Sequence, residues 1–391
     1  MMKHPGIRGR LLKVTAALAG IAMLAACGGG SEASAGAGGG GIASDIKLKG
    51  IYDTTGPVAY AGVGASKGMK LAMEEIDEQD FLGKDVKFTL DEVDTANAIE
   101  RASSEVSRAI ADPKVQAIFG PVAGQQAATV APIVEQAKVP TIFNQAGSDG
   151  VVIGDYTFRA TAPMHSYYDI AAKYLADKGL TNVAVLYNGT FPTFAEIGEK
   201  EFPRLAKEHG LTISSSYAVQ SNTQDFTAQT QEIAAKNPDA VVMLLIAPQS
   251  VTALTQLGQA GYKGQTVATS VQAAGNVASA GEHAAGLVYP VDFSAAQDNE
   301  LSVKFIEGFT EKYGKAPDQY AAEGYDSMWW LARAIKASGD SSREGIQKGL
   351  KQVASEGFEG VMGDLTFEGN DIRVKGVLVK WDGSKEQLVT E

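Results

Sequence analysis

From residue 46 onward, short apolar runs alternate with longer stretches whose apolar positions recur at helical spacing. This is the mark of a βαβ chain building parallel sheet. The runs at 46–52, 86–90, 117–119 and 141–143 predict strands. Between them, 64–79, 96–111 and 127–137 predict helices, the first with Met69, Ala72, Met73 and Ile76 on one face. The cycle then restarts, with helices at 165–178, 194–209, 228–235 and 250–260 and strands at 183–187, 212–217, 240–246 and 265–269. Three more helices at 298–313, 320–338 and 342–354 precede an antiparallel-looking tail. The pair Trp329-Trp330, flanked by Met328 and Leu331, reads as core. Two similar α/β sets with a shared C-terminal section predict two lobes joined by several crossings, and the length from Ser44 onward exceeds what one core usually serves.

The first 44 residues break this pattern. Lys3, Arg8, Arg10 and Lys13 are followed by small and aliphatic residues through Ala26, a run too short to cross a bilayer. The arrangement predicts a secretory signal peptide over 1–26. Leu24-Ala25-Ala26-Cys27 holds the chain's single cysteine and resembles the bacterial lipobox. The resemblance implies cleavage before Cys27 and a diacylglycerol thioether on its sulfur; an ordinary signal peptide with an incidental cysteine is the other reading. Residues 27–44 are rich in glycine, serine and alanine, and predict a flexible tether with an average span of roughly 20–25 Å.

Charge narrows the partners. The signal segment carries four basic and no acidic residues, so its removal takes the formal charge from −12 to −16. An acidic body of this kind argues against nucleic acid and against lying flat on anionic lipid. With Cys27 acylated no disulfide is available. Enzyme motifs are missing. Gly62 to Gly68 is a glycine-rich helix entry without GxGxxG or GxxxxGK[ST] spacing; its Gly64-Ala65-Ser66-Lys67-Gly68 falls inside the predicted helix and makes no GxSxG elbow, and no HExxH occurs. His165, His209 and His283 are widely spaced, so neither a catalytic site, a metal nor a cofactor is expected.

Several motifs, taken in order, carry a family resemblance. Asp53-Thr54-Thr55-Gly56-Pro57-Val58-Ala59 follows the first strand and leads into a helix with Gly68. Phe309, Tyr313, Pro317 and Ala321 precede Gly324-Tyr325-Asp326-Ser327, and Val361-Met362-Gly363-Asp364-Leu365-Thr366-Phe367 runs on toward Trp381. Together they resemble the substrate-binding proteins of branched-chain amino acid ABC transporters, the leucine/isoleucine/valine-binding family, from about Ile46 to Trp381. The resemblance implies an α/β fold of the type I periplasmic-binding-protein kind, with two Rossmann-like doubly wound lobes and three crossings near 160–163, 289–292 and 360–367. Lobe 1 would then comprise 45–162 plus 291–363, and lobe 2 163–290 plus 364–391.

Ligands of doubly wound sheets sit beyond the carboxyl ends of strands. Gly120 to Gln126 is such a loop, and Gly124 and Gln125 are placed to meet a ligand carboxylate, although a plain strand-to-helix turn would look the same. By resemblance, Gln145 and Gly147 fall on contact positions of a second loop, with Ser148 as a hydroxyl donor. Phe194, with Phe191 nearby, and Ile246 face from the other lobe, while Tyr60 and Tyr320 border the cleft. Ser270 stands where the family often has the glutamate that pairs with an α-ammonium, and Ala61 is small where an aromatic is usual. Asp292 and Glu323 are alternative acids by location.

The implied protein is a monomeric, lipid-anchored extracytoplasmic solute receptor that hands a branched-chain amino acid or related small polar ligand to ABC permease subunits. The alternatives are a ligand-sensing receptor subunit, or a receptor for amides, urea or small carboxylic acids. Cys27→Ser is expected to move the protein from the membrane fraction to the soluble extracytoplasmic fraction; fractionation with detection of the mature chain checks this.

Overall fold

A computed structural model describes residues 40–389 apart from Pro57, Asp149, Met164 and His165. The signal segment, Cys27 and the tether up to residue 39 lie outside the described residues. The first half of the chain runs β1 (Asp45–Tyr52), α1 (Ala59–Glu78), β2 (Lys87–Asp94), α2 (Ile99–Ala111), β3 (Val115–Phe119), α3 (Gly124–Ala137), β4 (Thr141–Phe143) and β5 (Thr157–Arg159). A second run follows: α4 (Tyr167–Asp177), β6 (Asn182–Asn188), α5 (Pro192–Glu196), α6 (Phe202–Glu208), β7 (Thr212–Val219), α7 (Thr227–Lys236), β8 (Ala240–Leu244), α8 (Ala247–Gln259), β9 (Gln265–Val267) and β10 (Val288–Val291). The rest is α9 (Glu300–Tyr313), α10 (Gln319–Ser338), α11 (Arg343–Glu356), β11 (Phe358–Gly360), β12 (Gly363–Glu368), β13 (Asp371–Arg373), β14 (Val377–Trp381) and β15 (Glu386–Leu388).

Two sheets result. The eight-stranded sheet has the order β11-β12-β13-β5-β4-β3-β1-β2, and the seven-stranded sheet β15-β14-β10-β9-β8-β6-β7. Strands β1–β5 pair in parallel, as do β6–β10, while antiparallel strands finish one edge of each. In each sheet the chain starts inside, steps outward once, then returns past its start. The order therefore reverses between β1 and β3, and again between β6 and β8.

The chain passes from the first sheet to the second between β5 and α4, and returns between β10 and α9, close to the two expected crossings. The third differs from expectation. Residues 364–373, which the sequence reading assigns to lobe 2, stay in the first sheet, where β12 pairs with β13 and β13 with β5. The chain crosses only between Arg373 and Val377. The reason is a buried ion pair: Arg159 Nε of β5 donates to Asp371 Oδ1 of β13 at 2.6 Å, with both residues nearly inaccessible. A strand tied to β5 in this way cannot already belong to the other lobe. Several short elements escaped the sequence pattern altogether. Strand β5 is three residues long, and residues 270–284 form two short 3-10 turns, both below the length at which periodicity is readable.

The C-terminal helices belong to the first lobe. Asn299, Asp318 and Ser342 cap α9, α10 and α11 by accepting from the backbone N–H of Ser302, Ala321 and Gly345. Trp330 of α10 is fully buried, edge-on to Phe158 with ring centres 5.6 Å apart, as its apolar setting predicts. Asp326, one turn earlier, accepts from Val361 N and Met362 N at 3.0 Å, and burial pushes its carboxyl up to about 7. Helix α10 lies against α1 closely enough that backbone meets backbone. A Cβ on Gly68 would fall 1.8 Å from Ala321 O, and one on Gly324 2.2 Å from Ala65 O. Gly324→Ala should therefore destabilise the fold by about 1–3 kcal/mol, the usual cost of overpacking. The urea midpoint should fall at an unchanged slope.

Candidate functional site

The reversal of strand order in each sheet leaves a crevice at the carboxyl ends of β1/β3 and β6/β8, the place where doubly wound sheets take ligands. In this fold the two crevices face each other. The loop after β1 brings Val58, Tyr60 and Ala61, and that after β3 brings Val122, Ala123, Gly124 and Gln125. Gln145, Gly147 and Ser148 follow β4, and Tyr320 comes from α10. From the second sheet come Phe191, Thr193 and Phe194 after β6, Ile246 after β8 and Val271 after β9. Asn97 completes the lining of a cavity of about 90 Å³. A roomier hollow of about 310 Å³, lined by Leu257, Tyr262 and His283, sits away from both crevices.

The structure thus gathers Tyr60, Gly124, Gln125, Gln145, Gly147, Ser148, Phe194, Ile246 and Tyr320 around one cavity. Ser270 is not among its lining residues. It is buried, its carbonyl accepts from Gln319 Nε2 at 3.2 Å, and Val271 reaches the wall in its place. Asp292 and Glu323 do not line the cavity either; they lie buried behind Gln145. Tyr60 and Ala61 both reach the wall.

The walls are aromatic and neutral. Tyr60 and Tyr320 stand with ring centres 5.3 Å apart on the first lobe, and Phe191 and Phe194 4.8 Å apart on the second. Among the described residues none of the lining side chains is a carboxylate or a cation. Burial pushes the Tyr60 hydroxyl up to about 12, so it is a neutral donor at physiological pH. The Tyr320 hydroxyl is buried with no hydrogen-bond partner among the described residues, a cost of about 1–3 kcal/mol unless something else meets it. Helices α1, α3 and α8 begin at this cavity, at Val58, Ala123 and Ile246, and none has a side-chain cap. Their first-turn N–H groups and dipoles favour negative charge there.

Buried polar side chains hold the loops. Arg159 donates through Nη1 to Ser148 O at 2.8 Å and Ala146 O at 3.3 Å, joining the loop after β4 to the Asp371 pair. Asn144 Nδ2 donates to Ser327 Oγ of α10 at 2.6 Å. Asn188 Oδ1 accepts from Thr190 N and Phe191 N at 3.1 and 3.0 Å, setting the aromatic loop of the second lobe. Asp53 accepts from Asn97 N and from Gln126 Nε2, binding the loop after β1 to α3.

One hydroxyl contact bridges the lobes at the cavity. Ser148 Oγ of the first lobe lies 2.6 Å from Thr193 Oγ1 of the second. Gly124 makes room for it, since a Cβ there would fall 2.0 Å from Ser148 Oγ. The absence of a side chain at 124 thus leaves space for the hydroxyl that bridges the lobes. Thr193 and Arg159 were not legible as site residues: a threonine in a loop and an arginine in a three-residue strand carry no distinctive spacing.

The profile of the periplasmic binding proteins matches residues 45–380, almost the whole described chain. The chain belongs to the periplasmic binding protein family. Its members are non-enzymatic transport receptors, and membership implies an extracytoplasmic place of work. The fold is accordingly the type I periplasmic-binding-protein fold. The Leu/Ile/Val-binding protein homolog 7 of Brucella abortus (strain 2308) is 25% identical over 373 residues, covering 89% of this chain and 91% of that relative. A leucine binding protein from Thermotoga maritima has a TM-score of 0.80 at 25% identity, over 88% of this chain and 98% of that one. An R. palustris solute binding protein solved in complex with benzoate has a TM-score of 0.78 at 18% identity, over 88% and 95% of the two chains. Among the described residues no helix is long and apolar enough to cross a membrane.

If the Ser148–Thr193 contact holds the binding protein closed, Thr193→Val removes one hydrogen bond worth about 0.5–1.5 kcal/mol. Amide exchange in the loops at 145–148 and 191–194 should then quicken by roughly 2- to 10-fold, read by hydrogen–deuterium exchange.

Proposed function

We propose that this binding protein is the receptor of an ABC importer, held at the outer face of the membrane through Cys27, and that it carries a small carboxylate-bearing ligand with a compact apolar body. A branched-chain amino acid is the leading ligand. The observation that carries the reading is the closed cavity between two strand-order reversals, with a buried and unpartnered Tyr320 hydroxyl in its wall. The ligand carboxylate would lie at the start of α3, against the N–H groups of Gly124 and Gln125, with Ser148 beside it. The apolar body would fill the space between Phe194, Ile246 and the tyrosines. A ligand touching both lobes favours the closed form because only that form offers both sets of contacts. Leucine, after which one similar protein is named, and benzoate, bound in another, support a small acid with an apolar body.

A second reading, a receptor for aromatic acids, is favoured by the four aromatic rings and by the lack of an acid in the lining. A screen of melting temperature with leucine, isoleucine, valine, benzoate, small amides and short-chain acids separates the readings. A ligand at 100 times its Kd adds about 2.7 kcal/mol. A shift with the branched-chain amino acids supports the first reading, and one with benzoate alone supports the second. A flat response to every compound contradicts both and favours a sensor subunit. Gln145→Ala should weaken the ligand found in this screen by about tenfold, or about 1.4 kcal/mol, with an unchanged melting temperature of the free protein. Titration calorimetry checks it.

A further inference from the structure

Among the described residues the wall of the cavity has no carboxylate, yet two lie directly behind it. Glu323 of α10 and Asp292, at the end of β10, are 0% and 1% exposed. Thr161, at the first crossing, donates through Oγ1 to Glu323 Oε1 at 2.8 Å and lies 3.4 Å from Asp292 Oδ2. Ala162 N lies 3.4 Å from the same Asp292 oxygen. The Asp292 and Glu323 carboxyls are hydrogen-bonded to one another, and the Tyr167 hydroxyl of α4 lies alongside Asp292. Tyr320 and Asp318, both near the start of α10, act on the pair only through space. Among the described residues no lysine, arginine or histidine pairs with either carboxyl.

Two carboxylates in contact and out of water cannot both ionise, so they hold one proton between them and keep one negative charge. Burial raises both groups above the ordinary carboxylate range, Glu323 the further because it also faces the Asp292 charge. Among the described residues that single charge has no counter-ion. Its one outlet toward the cavity is Gln145. The amide nitrogen of Gln145 donates to Glu323 Oε2, and to Oε1 at 3.2 Å, the orientation in which donor meets acceptor. Its carbonyl oxygen is thereby turned away from Glu323, on a residue that lines the cavity. The Tyr320 hydroxyl, unpartnered and 1% exposed, stands in the same wall.

We propose that Glu323 and Asp292, acting through Gln145, select a ligand that presents an ammonium group to the Gln145 carbonyl oxygen. Both are positioning residues: Glu323 fixes which end of the amide faces the ligand, and the pair supplies the balancing charge one residue behind it. With the helix starts at Gly124 favouring an anion and Gln145 favouring a cation, the cavity matches a zwitterion along one axis. The acid absent at Ser270 is thus replaced from the hinge side of the site. The inference rests on the reading of this cavity as the ligand site.

The test compares L-leucine with 4-methylpentanoate, the same body without the amine, by titration calorimetry on the mature protein at about pH 8. The wild type is expected to prefer leucine by at least about tenfold. The neutral double variant Glu323→Gln/Asp292→Asn should lose that preference while still binding 4-methylpentanoate. Should the double variant fail to fold, the wild type alone decides. Leucine affinity should fall between about pH 8 and pH 5, because the second proton removes the charge that the ammonium needs, and binding on the acid side should release that proton from the pair. Equal weakening of both ligands in the variant, or a wild-type leucine affinity flat with pH, would overturn the inference and leave the receptor reading standing. So would a wild type that binds 4-methylpentanoate or benzoate as tightly as leucine. If no amino acid or carboxylic acid binds at all, the inference and the reading fall together.

Discussion

Everything at the cleft depends on the chain changing sheets at one end of both sheets. The passages after β5 and after β10 and the start of α10 converge on the cluster of Thr161, Asp292 and Glu323. A side chain buried at that junction touches residues whose neighbours belong to different lobes, so its hydrogen bonds constrain the angle between them. This is an unusual place for two carboxyls. Replacing such a pair by apolar residues commonly costs nothing or stabilises, which makes its presence here better explained by what it does for the adjoining cavity than by stability.

A second layer of buried polar contacts turns a pair of sheets into a shaped site. Arg159 spans from Asp371 to the carbonyls of Ala146 and Ser148, so one side chain sets both the edge of the first sheet and the loop after β4. Asn188 does the same for the aromatic loop opposite. Loops held in this way lose little freedom when a ligand arrives, which is how a small cavity gains affinity without large area. A hinge rotation of the kind such folds use would bring the two lobes together, and the Ser148–Thr193 hydroxyl contact is one place where they meet.

How much of this could be read beforehand follows from what each feature leaves in a sequence. The strands and helices of both lobes were legible because their apolar period is long and regular, and the loops after β1, β3 and β4 because doubly wound sheets place ligands there. Tyr60, Gln145 and Tyr320 came to the cavity on those grounds and by resemblance. The third crossing was misplaced because a buried pair between residues as far apart as Arg159 and Asp371 leaves no local trace. Ser270 is not in the lining, where Val271 of the short turn after β9 stands instead, and a turn of that length leaves no readable period. Thr193 could be found only once the two lobes were seen face to face. Asp292 and Glu323 were visible as acids in the right region, but that their charge reaches the cavity through Gln145 is a matter of side-chain geometry alone.

The central claim is that one small ligand is held between two lobes that close on it. The most direct measurement is the distance between spin labels placed on the outer faces of α2 and α7, with and without the ligand that raises the melting temperature. The account predicts a broad, longer distance distribution in the free protein that narrows and shortens on saturation. A ligand that binds tightly while leaving the distribution unchanged would contradict it.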